Sequence, residues 1–129
     1  MFDKNKDYTR TDIQKLVGGE LQTYLPQKNK RILAGCFNQE LNPDCPYEVQ
    51  AGSKPQVKAK AELLLSQSDN VFPVFIKPTM KSKVYRYAGQ FKCIGGSNEP
   101  EILKVAEEKS ERYGCLTYVL SLQQVCIEK

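Results

Sequence analysis

The sequence predicts an α+β fold: a curved, mostly antiparallel sheet or open β-barrel with about three flanking helices. Three observations carry this. About five strand-like segments mix with three helical ones without strict alternation, which argues against a doubly wound parallel sheet. Residues 71–76 and 84–94 have strand patterns joined by a short basic turn, as in a hairpin. The chain has 129 residues, 40% hydrophobic and 26% charged, which suits one soluble core and is too apolar for a disordered chain.

The elements follow in order. Residues 1–7 are polar and read as a flexible N-terminus, with a single domain over 8–129. Thr9-Arg-Thr-Asp12 has the form of a capping box, so a short helix follows with Ile13, Leu16 and Val17 on one face. Gly18-Gly19 ends it. Leu21 to Leu25 reads as a brief extended piece stopped by Pro26. Gln27 to Lys30 turns into a strand over Arg31–Phe37, whose near-continuous apolar run suggests a central position. Asn42-Pro-Asp-Cys-Pro46 is a stiff loop, because each proline restricts itself and its predecessor.

Tyr47–Ala51 is the next strand. Val57–Leu65 is an amphipathic helix, with Val57, Ala61, Leu64 and Leu65 inward and Lys58, Lys60 and Glu62 away from them. Val71–Ile76 is a strand in which Pro73 signals an edge or a bulge. Val84–Ile94 alternates: Tyr85, Tyr87, Gly89, Phe91 and Cys93 share one face. Gly95–Asn98 reads as a loop and Glu99–Tyr113 as a helix with Ile102, Leu103, Val105 and Ala106 inward. Cys115–Val125 is the last strand.

Histidine is absent. That removes Ser–His–Asp and Cys–His nucleophilic sites, the HExxH zinc helix and HNH-type nuclease chemistry. No phosphate-cradling glycine loop occurs, and the carboxylates show no paired spacing. The expectation is a binding module without catalysis, cofactor or metal. The five cysteines form no C-x-x-C pair. Cys36, Cys93, Cys115 and Cys126 lie in apolar strand contexts and read as buried; Cys45, beside Asp44 and Pro46, reads as the exposed one. The N-terminus lacks an apolar signal-like region and no apolar run nears the ~20 residues that span a bilayer, so a cytoplasmic protein with reduced thiols and no membrane partner is expected.

The net charge of +4 is unevenly spread. Residues 1–98 carry 15 basic and 9 acidic side chains; residues 99–129 carry 4 and 6. Lys77, Lys81, Lys83, Arg86 and Lys92 fall in one stretch with no acid. Such a surface, interleaved with aromatics, is compatible with nucleic-acid phosphates, although charge alone favours a solvated lysine-rich face.

Tyr85-Arg86-Tyr87-Ala88-Gly89-Gln90-Phe91 resembles the Y-R-Y-D-G-x-Y strand of SRA (YDG) domains, PUA-like readers of modified cytosine in DNA. Val74-Phe-Ile-Lys77 is similar to the strand before it. Tyr8-Thr9-Arg10, Gly18-Gly19, Gln22-Thr-Tyr-Leu-Pro26 and Asn42-Pro43-Asp44 stand in the order found in SRA-like domains attached to bacterial HNH-type restriction endonucleases. The resemblance covers residues 8–125. Ala88 replaces the acid of the motif, and the nuclease half is missing.

The resemblance implies a curved-sheet reader of duplex DNA, modified or not, that flips a base into a pocket and works beside, or against, a separate nuclease subunit in restriction or defence. It implies a base pocket drawn from Tyr24, Phe37, Asn38, Asn42, Asp44, Tyr85 and Tyr87, with Gln39 and Tyr47 as further suitable residues. Phosphate contacts would come from Lys30, Arg31, Lys77, Lys81, Lys83 and Arg86. Two alternatives stay open: an accessory or inhibitory subunit docking an acidic protein, and a PUA-like RNA binder. From pattern alone Tyr85, Tyr87 and Phe91 fit the core face of a strand better than a binding face.

Overall fold

The computed structural model describes residues 2–126. It is an α+β fold with three helices and an open, mixed six-stranded sheet. The strands are β1 (Asp7–Thr9), the short pair β2 (Gln27–Lys28) and β3 (Arg31–Ile32), β4 (Gly35–Asn38), β5 (Glu48–Gly52), β6 (Val71–Lys77), β7 (Val84–Ser97) and β8 (Leu116–Val125). The helices are α1 (Arg10–Val17), α2 (Pro55–Leu65) and α3 (Pro100–Ser110). The main sheet runs β4-β6-β7-β8-β5, with β1 added to the first residues of β7. All its pairings are antiparallel except β4 with β6. No helix among the described residues is long and apolar enough to cross a membrane.

The capping box forms as the sequence predicts. Thr9 Oγ1 accepts the Asp12 N–H at 3.1 Å, and Asp12 Oδ2 accepts the Thr9 N–H at 3.0 Å. The helix that follows buries Ile13 completely. The domain's contacts begin before this box. Asp7 lies in β1, and the Phe2 ring packs edge-on against Phe75 at 5.3 Å.

The apolar run 31–37 is not one central strand. It breaks after Ile32, because Leu33 N–H donates to Pro26 O while Cys36 N–H reaches Tyr24 O. Its second half, β4, lies at one end of the sheet. The run is apolar because Cys36 and Phe37 are buried in cores on opposite faces. Between β2 and β3 the chain turns through Asn29 and Lys30, both at positive φ (53° and 65°), as a tight two-residue hairpin requires. Asn70, buried beside this hairpin, donates through Nδ2 to Ile32 O at 2.7 Å. In β6, Pro73 lies beyond the end of the β4 ladder, which spans Val74–Lys77, so its missing N–H removes nothing there.

The alternation read across 84–94 is interrupted. Val74 pairs with Gly89, yet Phe75 pairs with Tyr87, so Ala88 is an extra residue. A bulge of this kind shifts the period-two count by one and reverses the faces beyond it. Tyr85 and Tyr87 therefore pack with Phe75, Tyr8, Cys36 and α1, while Phe91 and Cys93 pack with Phe37, Phe72, Val74 and α2. The two cores lie on opposite faces of one sheet. Each fully buried phenylalanine among them contributes about 1.5–3 kcal/mol. β7 also runs on through Gly95–Ser97, not a loop as the sequence predicts, because β8 pairs with it that far.

Other expectations change too. In α3 only Ala106 is buried and Leu103 half-buried; Ile102 and Val105 face solvent at 43% and 53% exposure. A single helix over an open sheet covers a narrower stripe than its apolar content suggests. Cys45 is buried, whereas Cys115 and Cys126 are exposed. Cys45 joins the larger core, and Cys115 precedes β8 rather than lying in it.

Candidate nucleic-acid interface

Two clefts meet at Tyr24, Cys36 and Asn38, which line both. The first, about 550 Å³, lies between the α1 start, the 21–24 segment and the loop from β6 to β7. Four cations line it, Arg10, Lys77, Lys81 and Lys83, with no carboxylate among its lining residues. The β6–β7 loop is held in place: Lys77 Nζ donates to Met80 O at 3.2 Å, and Glu40 accepts the Met80 N–H at 2.9 Å. Lys77 also sits 5.4 Å from the Tyr85 ring centroid, a cation–π contact. Lys81 and Lys83 are exposed.

Arg10 joins the site although the sequence predicts no role for it there. Its Nη2 donates to Glu20 O at 2.7 Å and Thr23 O at 3.4 Å, which fixes the segment that walls the cleft. Its Nε and Nη1 are buried with no acceptor. A cation so placed favours an anion nearby. Burial nevertheless pushes the neighbouring Cys36 thiol up to about 11, against a smaller downward pull from Arg10, so Cys36 is a neutral wall residue.

The second cleft, about 480 Å³, is more apolar. Phe37, Leu41, Val57 and Tyr24 form its body, with Asn38, Asn42, Gln50, Lys54 and Arg112 as its polar groups. Tyr24 is fixed by donating its hydroxyl to Val57 O at 2.8 Å, and burial raises its phenol well above the usual range. A buried network closes the cleft's floor. Asn42 Oδ1 accepts the Gln50 N–H at 2.7 Å, and Gln50 Nε2 donates to Ala106 O at 3.0 Å. Gln50 Oε1 accepts from Ser110 at 2.6 Å and from Arg112 Nη2 at 3.3 Å. Arg112 Nη2 also reaches Leu41 O at 3.3 Å, leaving Nε buried without an acceptor. Burial lowers its pKa.

Tyr24 and Asn38 thus line both clefts, Phe37 and Asn42 the second, and Tyr85, Lys77, Lys81 and Lys83 the first. Phe37 is only 2% exposed and packed into the core, so it offers a floor rather than a free stacking ring. Five residues fall elsewhere. Asp44 is ion-paired with Lys109 of α3 at 2.8 Å. Tyr87 packs in the second core and accepts from Gln90 through its hydroxyl at 2.9 Å. Arg86 is paired with Asp7 of β1 at 2.5 Å. Lys30, like Arg31, lies at the β2–β3 turn and lines neither cleft. Arg10 had a signal in the sequence, as the third residue of Tyr8-Thr-Arg10; Arg112, in the turn after a helix, had none.

Among the described residues no three potential ligand side chains cluster as a metal site. No protein-family model matches the chain, and no curated protein or solved structure matches it.

Proposed function

We propose that this chain is a non-catalytic DNA-binding module of SRA/PUA-like type, working in restriction or defence beside a separate nuclease. Phosphates lie along the basic cleft, and an extrahelical, modified base enters the apolar one. The observation that carries the reading is the shared wall. A cleft with four cations and no carboxylate adjoins a largely apolar cleft across Tyr24, Cys36 and Asn38. A nucleotide has this division, with an anionic backbone and an apolar-faced base. Extruding a base costs a few kcal/mol, and stacking on an aromatic ring such as Tyr24 returns about 1–3 kcal/mol.

The test is a titration of labelled duplexes at low salt, unmodified and carrying 5-methyl- or 5-hydroxymethylcytosine, with RNA of the same sequence in parallel. Duplex binding that weakens with salt and depends on the base at the test site is expected. Tighter RNA binding favours the RNA reader, and no binding to any nucleic acid defeats the proposal. The second reading, a protein-interaction module, is favoured by the groove beside Ile102 and Val105 on α3, rimmed by Glu48, Glu101 and Lys109. Co-purification of one stoichiometric protein partner without nucleic-acid binding would support it.

A further inference from the structure

The apolar cleft has a one-sided hydrogen-bonding character. Each side-chain carbonyl oxygen that lines it is already an acceptor within the fold. Asn38 Oδ1 takes the Leu41 N–H at 2.7 Å, Asn42 Oδ1 takes the Gln50 N–H, and Gln50 Oε1 takes Ser110 and Arg112. The Gln50 and Asn42 amide groups are spent as donors as well, on Ala106 O and Asn38 O. The donors are in the opposite position. Arg112 Nε is buried with no acceptor, and the exposed Lys54 ammonium at the rim makes no hydrogen bond or ion pair among the described residues. Neither cation is ion-paired, and the cleft's lining contains no carboxylate.

A buried, unmatched donor raises the energy of the empty site and makes an arriving acceptor favourable. We infer that the apolar cleft selects a base with an acceptor-rich edge, through keto or carboxylate oxygens, and discriminates against amino edges. On the major-groove edge guanine presents O6 and N7, and 5-carboxylcytosine adds a carboxylate beside the N4 amino group it shares with cytosine; adenine presents N6 as a donor beside N7, and cytosine N4 alone. An amino group brought to Arg112 and Lys54 would set donor against donor. This inference rests on the DNA-binding reading and specifies its base class.

The experiment uses the full chain and fluorescence anisotropy. The probes are duplexes identical except for one nucleotide opposite an abasic site: cytosine, 5-carboxylcytosine, adenine or guanine. Guanine and 5-carboxylcytosine are expected to bind about tenfold tighter than adenine and cytosine. The neutral guanine–adenine comparison separates edge recognition from the added charge of the carboxylate. Equal binding of all four overturns the base class and leaves DNA binding intact; no binding to any overturns the DNA reading itself. A preference for 5-carboxylcytosine with none for guanine over adenine also overturns the inference, since charge alone explains it.

Arg112→Lys should collapse the preference towards unity while general duplex affinity persists. Arg112 also braces Leu41 and Gln50, so Lys54→Gln, on an exposed residue, supplies a second variant with the same expected direction. An undiminished preference in Lys54→Gln and in folded Arg112→Lys would assign the selection to other residues and defeat the inference.

Discussion

Replacing Lys81 and Lys83 together by alanine isolates the electrostatics of the basic cleft. Both side chains are exposed, and neither makes a hydrogen bond or ion pair within the protein among the described residues. Lys77, in contrast, is tethered to Met80 O and the Tyr85 ring. The double variant should therefore fold normally and lose two phosphate contacts. Each neutralised phosphate contributes about 0.9 to the slope of log affinity against log salt, so the slope should fall by about 1.8. Between about 50 and 200 mM salt the wild type should then lose affinity by roughly tenfold more than the variant. The assay is anisotropy at several salt concentrations. The control, Lys58→Ala with Lys104→Ala, makes the same charge change at residues that line neither cleft. An unchanged slope in Lys81→Ala/Lys83→Ala, or an equal drop in the control, would refute the assignment of phosphate to this cleft.

Two further outcomes concern the scaffold. Gly35→Ala should destabilise by about 1–3 kcal/mol, because its Cβ would lie 2.5 Å from Phe37 Cζ and that ring, 2% exposed, is packed into the core; an unmoved urea midpoint would show that the ring shifts freely. The Glu20 carboxyl is pushed up by partial burial but pulled down further by Lys60 and the Gln27 N–H, to about 2 from its ordinary 4.5. A depressed carboxylate stabilises the fold above its unfolded pKa and loses that contribution as pH falls through its folded pKa. The stability gap between wild type and Glu20→Gln should thus be full at neutral pH and close between about pH 4.5 and 2, and a gap that stays constant in acid unfolding would contradict the pairing.

Local signals carried far into the structure where one element settles its own conformation. The capping box before Ile13, the α2 face with Ala61 and Leu64, and the β6–β7 hairpin are all legible in sequence order. Features that depend on a distant partner were not. Gly89, a lone glycine inside a strand pattern and here at φ 129°, is the local hint of a bulge, but that Ala88 is the extra residue depends on the register in which β6 and β7 meet. Asp44 carries a base-reading residue type, but the fold brings Lys109 to it from 65 positions away. Arg86 is claimed in the same manner by Asp7. Ile102 and Val105 follow helical spacing, yet spacing alone does not say how wide a stripe the sheet can cover. In the clefts, chemistry-bearing residue types were readable, while their division into a basic and an apolar half depended on tertiary placement.

The pairing of β1 with the start of β7 sets the order in which the chain can be finished. Asp7 meets Arg86 across 79 positions, and Tyr8 meets Tyr85. During synthesis β1 has no edge to join until the chain as far as Val84–Arg86 has emerged. Until then Tyr8 and Ile13, later sealed beneath Phe75 and Tyr85, remain open to water. Closure over so long a loop is slow compared with the local β6–β7 hairpin. The face that carries Arg10 is thus completed late, so an unfinished chain presents its basic loop before it presents a cleft.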